Sequence, residues 1–379
     1  MEASSILWEK WQEQVKDLLP SIHGHQKKTL ALSVLGIVLS KSAVLQRMAE
    51  SVYLQGISQA KMASIERRFA RFVANERIQV SSIWAQFLKQ LLPFWKGRAV
   101  QLVLDSTPFD DRATIVYLGL LVHSRVLPVA WRVMPNQEKW DQGQWEVVGE
   151  LLDEVKPHLE PTDCTLIADR GLAGAPLVKL CQERKWHYLL RVCKEHTCRR
   201  RLGESWKPWT ALGHIILKEG QQWFGRVLLW QDEQTIETQL SAVWDKGHKE
   251  AWFLISDRPA GRQRVREYGR RMRVESTFQD DKSRGWNLEA SLIEDLARLN
   301  RLLLVLFLAL WWVTHLAASC IHHGQRDRFD RHDRRDKSIF RLGQLWLLDI
   351  LRRATHPAAL TWCLPFQRKG TTWKFALRF

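Results

Sequence analysis

The chain has 379 residues, of which 45% are hydrophobic, and its formal net charge is +16. This length allows two or three domains with cores of their own, and the hydrophobic content excludes a disordered chain. The excess of Lys and Arg favours a polyanionic partner, most commonly nucleic acid, although a basic protein without such a partner stays the alternative. The six cysteines form no paired Cys-x-x-Cys motifs and the first five residues do not resemble a signal peptide, so we expect reduced thiols and a cytoplasmic protein.

The first 95 residues show apolar residues at helical spacing, which predicts a helical domain. Within it, residues 60–77 form a predicted amphipathic helix whose polar side carries Arg67, Arg68 and Arg71. A helix-turn-helix module would place such a helix in a major groove of DNA, so we interpret residues 1–95 as a DNA-binding domain. A solvated helix face is the alternative.

From about residue 99 the periodicity changes to that of strands. The apolar runs predict three consecutive strands, a helix, a strand, a helix and a strand, at residues 100–104, 114–123, 126–133, 145–155, 165–168, 175–184 and 186–192. This order of elements is expected of a ribonuclease-H-like core. Fold-level analogy of this kind says little about function by itself.

The second half of the chain interrupts this order. Alternating apolar residues predict strands at 215–218, 223–230, 235–243 and 252–255, followed by helices at 261–283, 290–319 and 342–353. The predicted fold class is therefore α/β, with a ribonuclease-H-like catalytic core (96–193 and 251–320), a β-rich insertion (194–250), the helical domain (1–95) and a C-terminal helical region (321–379). Residues 302–319 approach the length of a membrane span, but a buried core helix is favoured in so basic a chain.

Two predicted strands each end in an aspartate. Asp105 follows the run LVL and Asp169 follows the run TLIA. If these strands are neighbours in the sheet, the two carboxylates can converge, and Mg²⁺ would relieve the repulsion between them. A turn or cap role is the alternative for either residue alone.

A further set of polar residues falls on the predicted helix 261–283. At about 100° per residue, Tyr268, Arg271, Glu275 and Lys282 lie within about 60° of one another on a continuous α-helix. Such a stripe suits a face that binds metal through its carboxylate and DNA phosphates through the other three side chains. A solvated charged face with helical ion pairs is the alternative.

The spacing Tyr268-x2-Arg271-x3-Glu275-x6-Lys282 resembles the Tyr-Arg-Glu-Lys signature of bacterial insertion-sequence transposases of the DDE type. Asp105 in LVLDST and Asp169 in IADRGL are similar to the first two acids of that family, and the layout is similar over about residues 20–320. The resemblance implies a cut-and-paste transposase in which Asp105, Asp169 and Glu275 hold two Mg²⁺ ions, with Mn²⁺ as a substitute. Tyr268, Arg271 and Lys282 would contact DNA.

The same resemblance implies the partners of the protein. These would be the inverted-repeat DNA at the transposon ends and the target DNA, bound by a homodimer associated with the nucleoid. Two alternatives stay open, a ribonuclease-H-like nuclease without strand transfer and a catalytically retired DNA-binding regulator. A membrane protein is the least favoured class.

Overall fold

The computed structural model describes residues 2–122, 125–136, 143–160, 162–231, 234–275, 277 and 285–353. Their contacts divide the chain into two units. The helical unit comprises the described residues within Met1–Phe94 and Thr277–Phe379, and the sheet unit comprises those within Trp95–Ser276. Lys282, Cys363 and residues 354–379 of the predicted C-terminal region lie outside the described residues.

The helical unit is built from α-helices in both of its chain segments. Its helices are α1 (Glu2–Leu18), α2 (Gly24–Ser40), α3 (Leu45–Leu54), α4 (Met62–Ala74), α5 (Val80–Leu91), and, after the sheet unit, α9 (Leu296–His322) and α10 (Ile339–Arg353). Helix α9 lies at the centre, where it packs against α2, α4, α5 and α10. Trp312 of α9 stacks on Trp11 of α1 with ring centroids 4.3 Å apart.

Helix α9 is the apolar helix predicted at 290–319. It begins at Leu296 because the Asp295 side chain caps it, accepting a 2.7 Å hydrogen bond from the Arg298 N–H. Its length and composition would suffice to cross a membrane. Helices α2 and α3 would suffice only if taken together as one span, and they are bent by 89° relative to each other. Since 94% of its most apolar window is buried inside the protein, it has the surroundings of a core helix.

The predicted basic helix corresponds to α4. Ile65, Phe69, Phe72 and Val73 are buried, because they fall on the side that faces α2, α3 and α9. Arg67, Arg68 and Arg71 are exposed on the opposite side. The amphipathic pattern predicted from the sequence is therefore confirmed, whereas DNA contact by these arginines stays a prediction.

The sheet unit contains one long mixed sheet flanked by helices. Its elements are β1 (Val100–Phe109), β2 (Ala113–Val122), β3 (Arg125–Pro135), α6 (Gln144–Leu159), β4 (Cys164–Ala168), α7 (Ala175–Glu183), β5 (His187–Val192), β6 (Thr197–Leu202), β7 (Ser205–Trp206), β8 (Thr210–Ala211), β9 (Gln222–Leu229), β10 (Ile236–Val243), β11 (Trp252–Ser256) and α8 (Arg262–Gly269).

The strand order in the sheet is β3-β2-β1-β4-β5-β11-β10-β9-β6-β7, with β8 paired to β6. Strands β1, β4 and β5 are parallel to one another, and the remaining pairs are antiparallel. The mixed α/β class predicted from the sequence is confirmed. The strands of the predicted insertion continue this sheet through the pairing of β11 with β5.

Two predicted strand boundaries are corrected. Asp105 does not end β1, because antiparallel pairing with β2 carries the strand on to Phe109. The predicted strand at 215–218 is absent, since the N–H groups of Leu217 and Lys218 bond to the Gln221 side chain instead of a neighbouring strand.

The predicted helix at 261–283 is also corrected. Helix α8 ends at Gly269, and a 3-10 turn covers Arg270–Met272 before residues 273–275 resume α-helical geometry. The tighter turn changes the rotation per residue, so the calculated stripe does not apply along this segment. By contacts, Thr277 and residues 285–320 group with the N-terminal helices, although the sequence assigned 251–320 to the catalytic core. The boundaries of the four predicted regions stay a prediction.

Candidate active site

Parallel pairing of β1 with β4 brings two of the predicted acids to neighbouring positions. The last paired residues in this ladder are Leu104 and Ala168, and Asp105 and Asp169 come directly after them. Each carboxylate is oriented by a local N–H group. Asp105 Oδ1 accepts from the Ser106 N–H at 2.9 Å, and Asp169 Oδ1 accepts from the Gly171 N–H at 3.0 Å.

The guanidinium of Arg271 lies among all three predicted acids. Its Nη2 donates to Asp105 Oδ2 at 2.7 Å and lies 3.4 Å from Asp169 Oδ2, while Nη1 lies 3.7 Å from Glu275 Oε1. Three carboxylates that are widely separated along the chain therefore surround one cationic group. Arginine suits this position because its planar fork presents several donors at fixed angles.

The site opens toward solvent on the side of Glu275. The side chains of Asp105 and Arg271 are 10% and 9% exposed, whereas those of Asp169 and Glu275 are 33% and 52% exposed. Burial raises the pKa of Asp105 to about 6, and the carboxylates of Asp169 and Glu275 also raise it. The Arg271 charge and the Ser106 N–H act in the opposite direction. The surroundings of Asp105 therefore stabilise the ionised form of its carboxyl group only in part.

Tyr268 and Arg271 are buried, whereas the sequence suggested a face that binds DNA phosphates, and their contact with DNA stays a prediction. The Tyr268 ring packs with Ile167, Leu189 and Leu254 and meets the Trp252 ring edge-on at 5.3 Å. Burial raises the pKa of Tyr268 to about 12. Its hydroxyl has no hydrogen-bond partner among the described residues. Arg271 tolerates burial because the acids pair with it.

Three charged residues that were not singled out from the sequence form a group that begins directly after Asp169. Glu250 pairs with Arg191 at 2.6 Å and with Arg170 at 3.2 Å, and the hydrogen bond from Arg191 lowers the pKa of Glu250. These three side chains line a cavity of about 320 Å³ together with Trp244 and Lys249. The only sequence signal was the position of Arg170 directly after Asp169, since Arg191 and Glu250 reach this place through sheet pairing.

Within the described part of the chain, no group of three or more His, Cys, Asp or Glu side chains has the arrangement of a preformed metal site. The five described cysteines are free thiols. Of the residues predicted to act together, Asp105, Asp169, Arg271 and Glu275 are gathered at one place. Tyr268 lies beside them with its ring buried.

Residues 142–312 match a family model described as the transposase DDE domain. The matched segment includes Asp169, Arg271 and Glu275 and begins after Asp105. No curated protein matches the chain. The match supports a transposase of the DDE class, a DNA-processing enzyme, for which divalent metal ions are the general cofactor.

Proposed function

We propose that this protein is a cut-and-paste DNA transposase that excises an insertion sequence and joins it to target DNA. Asp105, Asp169 and Glu275 carry the chemistry. The single observation behind this proposal is that one guanidinium lies within 3.7 Å of all three carboxylates. A place that gathers three carboxylates around a positive charge has the electrostatic character that a divalent cation requires.

The donor set fits Mg²⁺ or Mn²⁺. All three side chains offer hard oxygen ligands, and none of the softer ligands, His or Cys, is needed. When bound there, divalent cations would activate the attacking oxygen and stabilise the leaving oxygen of a phosphodiester. The family resemblance on which the site was predicted implies two such ions, held by Asp105, Asp169 and Glu275.

The residues of the chain contribute position and charge. The β1–β4 pairing holds Asp105 on β1 next to Asp169, which directly follows β4, while Glu275 approaches from the segment after α8. The exposure of Glu275 leaves this side of the site accessible to a DNA strand. Phosphoryl transfer depends mainly on such positioning and on stabilisation of developing negative charge. Arg271 and Lys282 are the proposed phosphate contacts.

The proposed substrates are the transposon-end inverted repeats and the target DNA. The net charge of +16 and the exposed arginines of α4 favour binding to their phosphates. We assign end recognition to the helical residues 1–95, the chemistry to the ribonuclease-H-like strands, and end pairing to a homodimer. Because the proposed substrate is nucleoid DNA, the proposed site of the reaction is the cytoplasm.

The first prediction concerns Asp105. Full-length protein is incubated with Mg²⁺, DNA that carries the inverted repeats flanking its gene, and a target plasmid. We expect cleaved ends and joined products from the wild type, and a loss of both by about 100- to 1000-fold in Asp105→Asn, the range found when one transition-state stabilising group is removed. End binding should survive. The matched control is Asp111→Asn, an exposed aspartate of the same β1–β2 hairpin.

Each of the following alternative outcomes would indicate a different function or a different site. Cleaved ends without joined products would identify a nuclease that lacks strand transfer. End binding without cleavage by the wild type would identify a DNA-binding regulator. Unchanged cleavage by Asp105→Asn would remove Asp105 from the active site.

A further inference from the structure

The position of Arg271 is unusual for a residue expected to bind DNA. Its Nη2 donates a hydrogen bond to Asp105 Oδ2 and lies 3.4 Å from Asp169 Oδ2, and its side chain is only 9% exposed. It cannot reach a DNA phosphate while it lies there. The arginine and a divalent cation would therefore use the same carboxylate oxygens.

Competition between the two cations follows from their geometry and charge. Magnesium binds carboxylate oxygens at about 2.1 Å and requires near-octahedral surroundings, so it excludes a guanidinium from the same oxygens. The two positive charges also repel each other strongly where water is largely excluded. Binding of a divalent cation therefore weakens the contacts of Arg271 with these carboxylates, and the presence of Arg271 weakens binding of the divalent cation.

Arg271 is held incompletely in this position. Its Nε is buried and has no hydrogen-bond partner among the described residues. A buried donor without a partner carries a desolvation penalty, which lowers the cost of moving the side chain away. The solvent-facing side of the site is marked by Glu275, whose side chain is 52% exposed and lies 3.7 Å from Nη1.

We propose that Arg271 is an internal counter-ion, which holds Asp105, Asp169 and Glu275 together in the metal-free protein and leaves them when a divalent cation binds. The displaced side chain then becomes available to the DNA backbone beside the reacting phosphate. This inference rests on the proposed function, since it takes the three acids as the ligands of that cation. It makes Arg271 a positioning residue whose release is coupled to metal binding.

The test measures metal binding without DNA or activity. Mn²⁺ is titrated into full-length wild type, Arg271→Gln, Arg270→Gln and Asp105→Asn by isothermal titration calorimetry at constant ionic strength. Arg271→Gln should bind Mn²⁺ roughly tenfold more tightly, the size of effect that one neighbouring charge has on a carboxylate. Arg270→Gln is the matched control, because it removes the same charge from an exposed neighbour in the same turn.

The outcomes separate this inference from the proposed function. Equal or weaker Mn²⁺ binding by Arg271→Gln, with binding still lost in Asp105→Asn, would overturn the counter-ion role alone. Absence of Mn²⁺ binding in every variant and in the wild type would overturn the proposed metal site as well. A tenfold gain in both arginine variants would reduce the effect to general surface charge and overturn the specific role.

A second measurement uses the wild type and so does not depend on how Arg271→Gln folds. Phenylglyoxal modifies exposed guanidinium groups, and peptide mass spectrometry reports the modification at each arginine. Addition of Mn²⁺ should accelerate modification of Arg271 several-fold relative to Arg270. An unchanged or slower rate at Arg271 would overturn its displacement.

Discussion

At the residue scale, the candidate site depends on how four charged side chains share a partly buried space. Asp105 is the most buried of the three acids, and its pKa of about 6 records the cost of that burial. Arg271 offsets part of the cost through its 2.7 Å contact. Removing Arg271 would leave Asp105 buried without its counter-charge, which is more costly than leaving the pair intact.

The second prediction is a pH dependence of stability caused by Asp105. The unfolded chain releases this proton near pH 3.8 and the folded protein near pH 6. The unfolded state therefore binds fewer protons between these values, and the free energy of unfolding falls as the pH rises through the window, by about 3 kcal/mol for this group. Denaturant unfolding in EDTA should show this fall in the wild type relative to Asp105→Asn. A difference in the free energy of unfolding between the two proteins that stays constant from pH 4 to pH 7 would contradict this prediction.

The third prediction concerns the Tyr268 hydroxyl. Because it is buried without a partner among the described residues, Tyr268→Phe should keep the free energy of unfolding within about 0.5 kcal/mol or raise it. Tyr268→Ala should lower it by about 3–5 kcal/mol, since the ring fills the cluster of Ile167, Leu189 and Leu254. Urea unfolding measures both. A loss above about 1 kcal/mol in Tyr268→Phe would show that the hydroxyl is hydrogen-bonded.

At the element scale, close pairing of regular elements positions the side chains. In the sheet unit, the parallel register of β1 and β4 places Asp105 and Asp169 side by side. The 3-10 turn after α8 then sets where Arg271 and Glu275 lie. In the helical unit, α9 and α10 approach so closely that a Cβ at Gly343 would overlap the backbone carbonyl of Val313.

The fourth prediction tests this helix contact. Gly343→Ala should lower the free energy of unfolding by about 1–3 kcal/mol, because the methyl group meets backbone that cannot yield easily. Gly24→Ala, in α2 of the same unit, is the control, since a Cβ there would have nothing within 4 Å. The control should be neutral or stabilising by up to about 1 kcal/mol. Thermal unfolding measures both variants. Equal changes in their free energies of unfolding would mean that α10 is not packed on α9 in this way.

At the scale of the whole molecule, the net charge of +16 predicts binding to DNA that weakens steeply with salt. The charge is spread along the chain, so its contribution to binding depends on which cations touch phosphates. Helix α4 has exposed arginines one turn apart, at positions 67 and 71, above a buried apolar side. Helix α1 also exposes Lys10 and Lys16, without a comparable arginine-rich face.

The fifth prediction compares these two helices. The double variant Arg67→Ala/Arg71→Ala should bind end DNA more weakly, with a salt slope reduced by about 2, because each phosphate contact releases about one counterion. Lys10→Ala/Lys16→Ala should leave the slope nearly unchanged. Fluorescence anisotropy over a series of salt concentrations measures both. Equal reductions in the two variants would argue against α4 as a specific DNA contact.

Much of the local structure could be predicted because it depends on periodicity. The apolar runs at β4 and β5, the amphipathic α4 and the apolar α9 follow from the spacing of side chains between core and solvent. The acids Asp105 and Asp169 were singled out because each follows an apolar strand run. Where prediction failed, as at residues 215–218 and in the helix after Gly261, hydrogen bonds from Gln221 or a 3-10 turn outweighed the local pattern.

The sequence by itself therefore determined which residues carry the charge and most of the segments that form helices and strands, since both depend largely on neighbours along the chain. Only the tertiary structure decided that Arg271 lies buried among Asp105, Asp169 and Glu275 and that Glu250 joins Arg170 and Arg191. It also decided that the later strands extend the central sheet. These arrangements depend on the pairing of strands far apart in the chain, for which spacing along the sequence contains no direct signal.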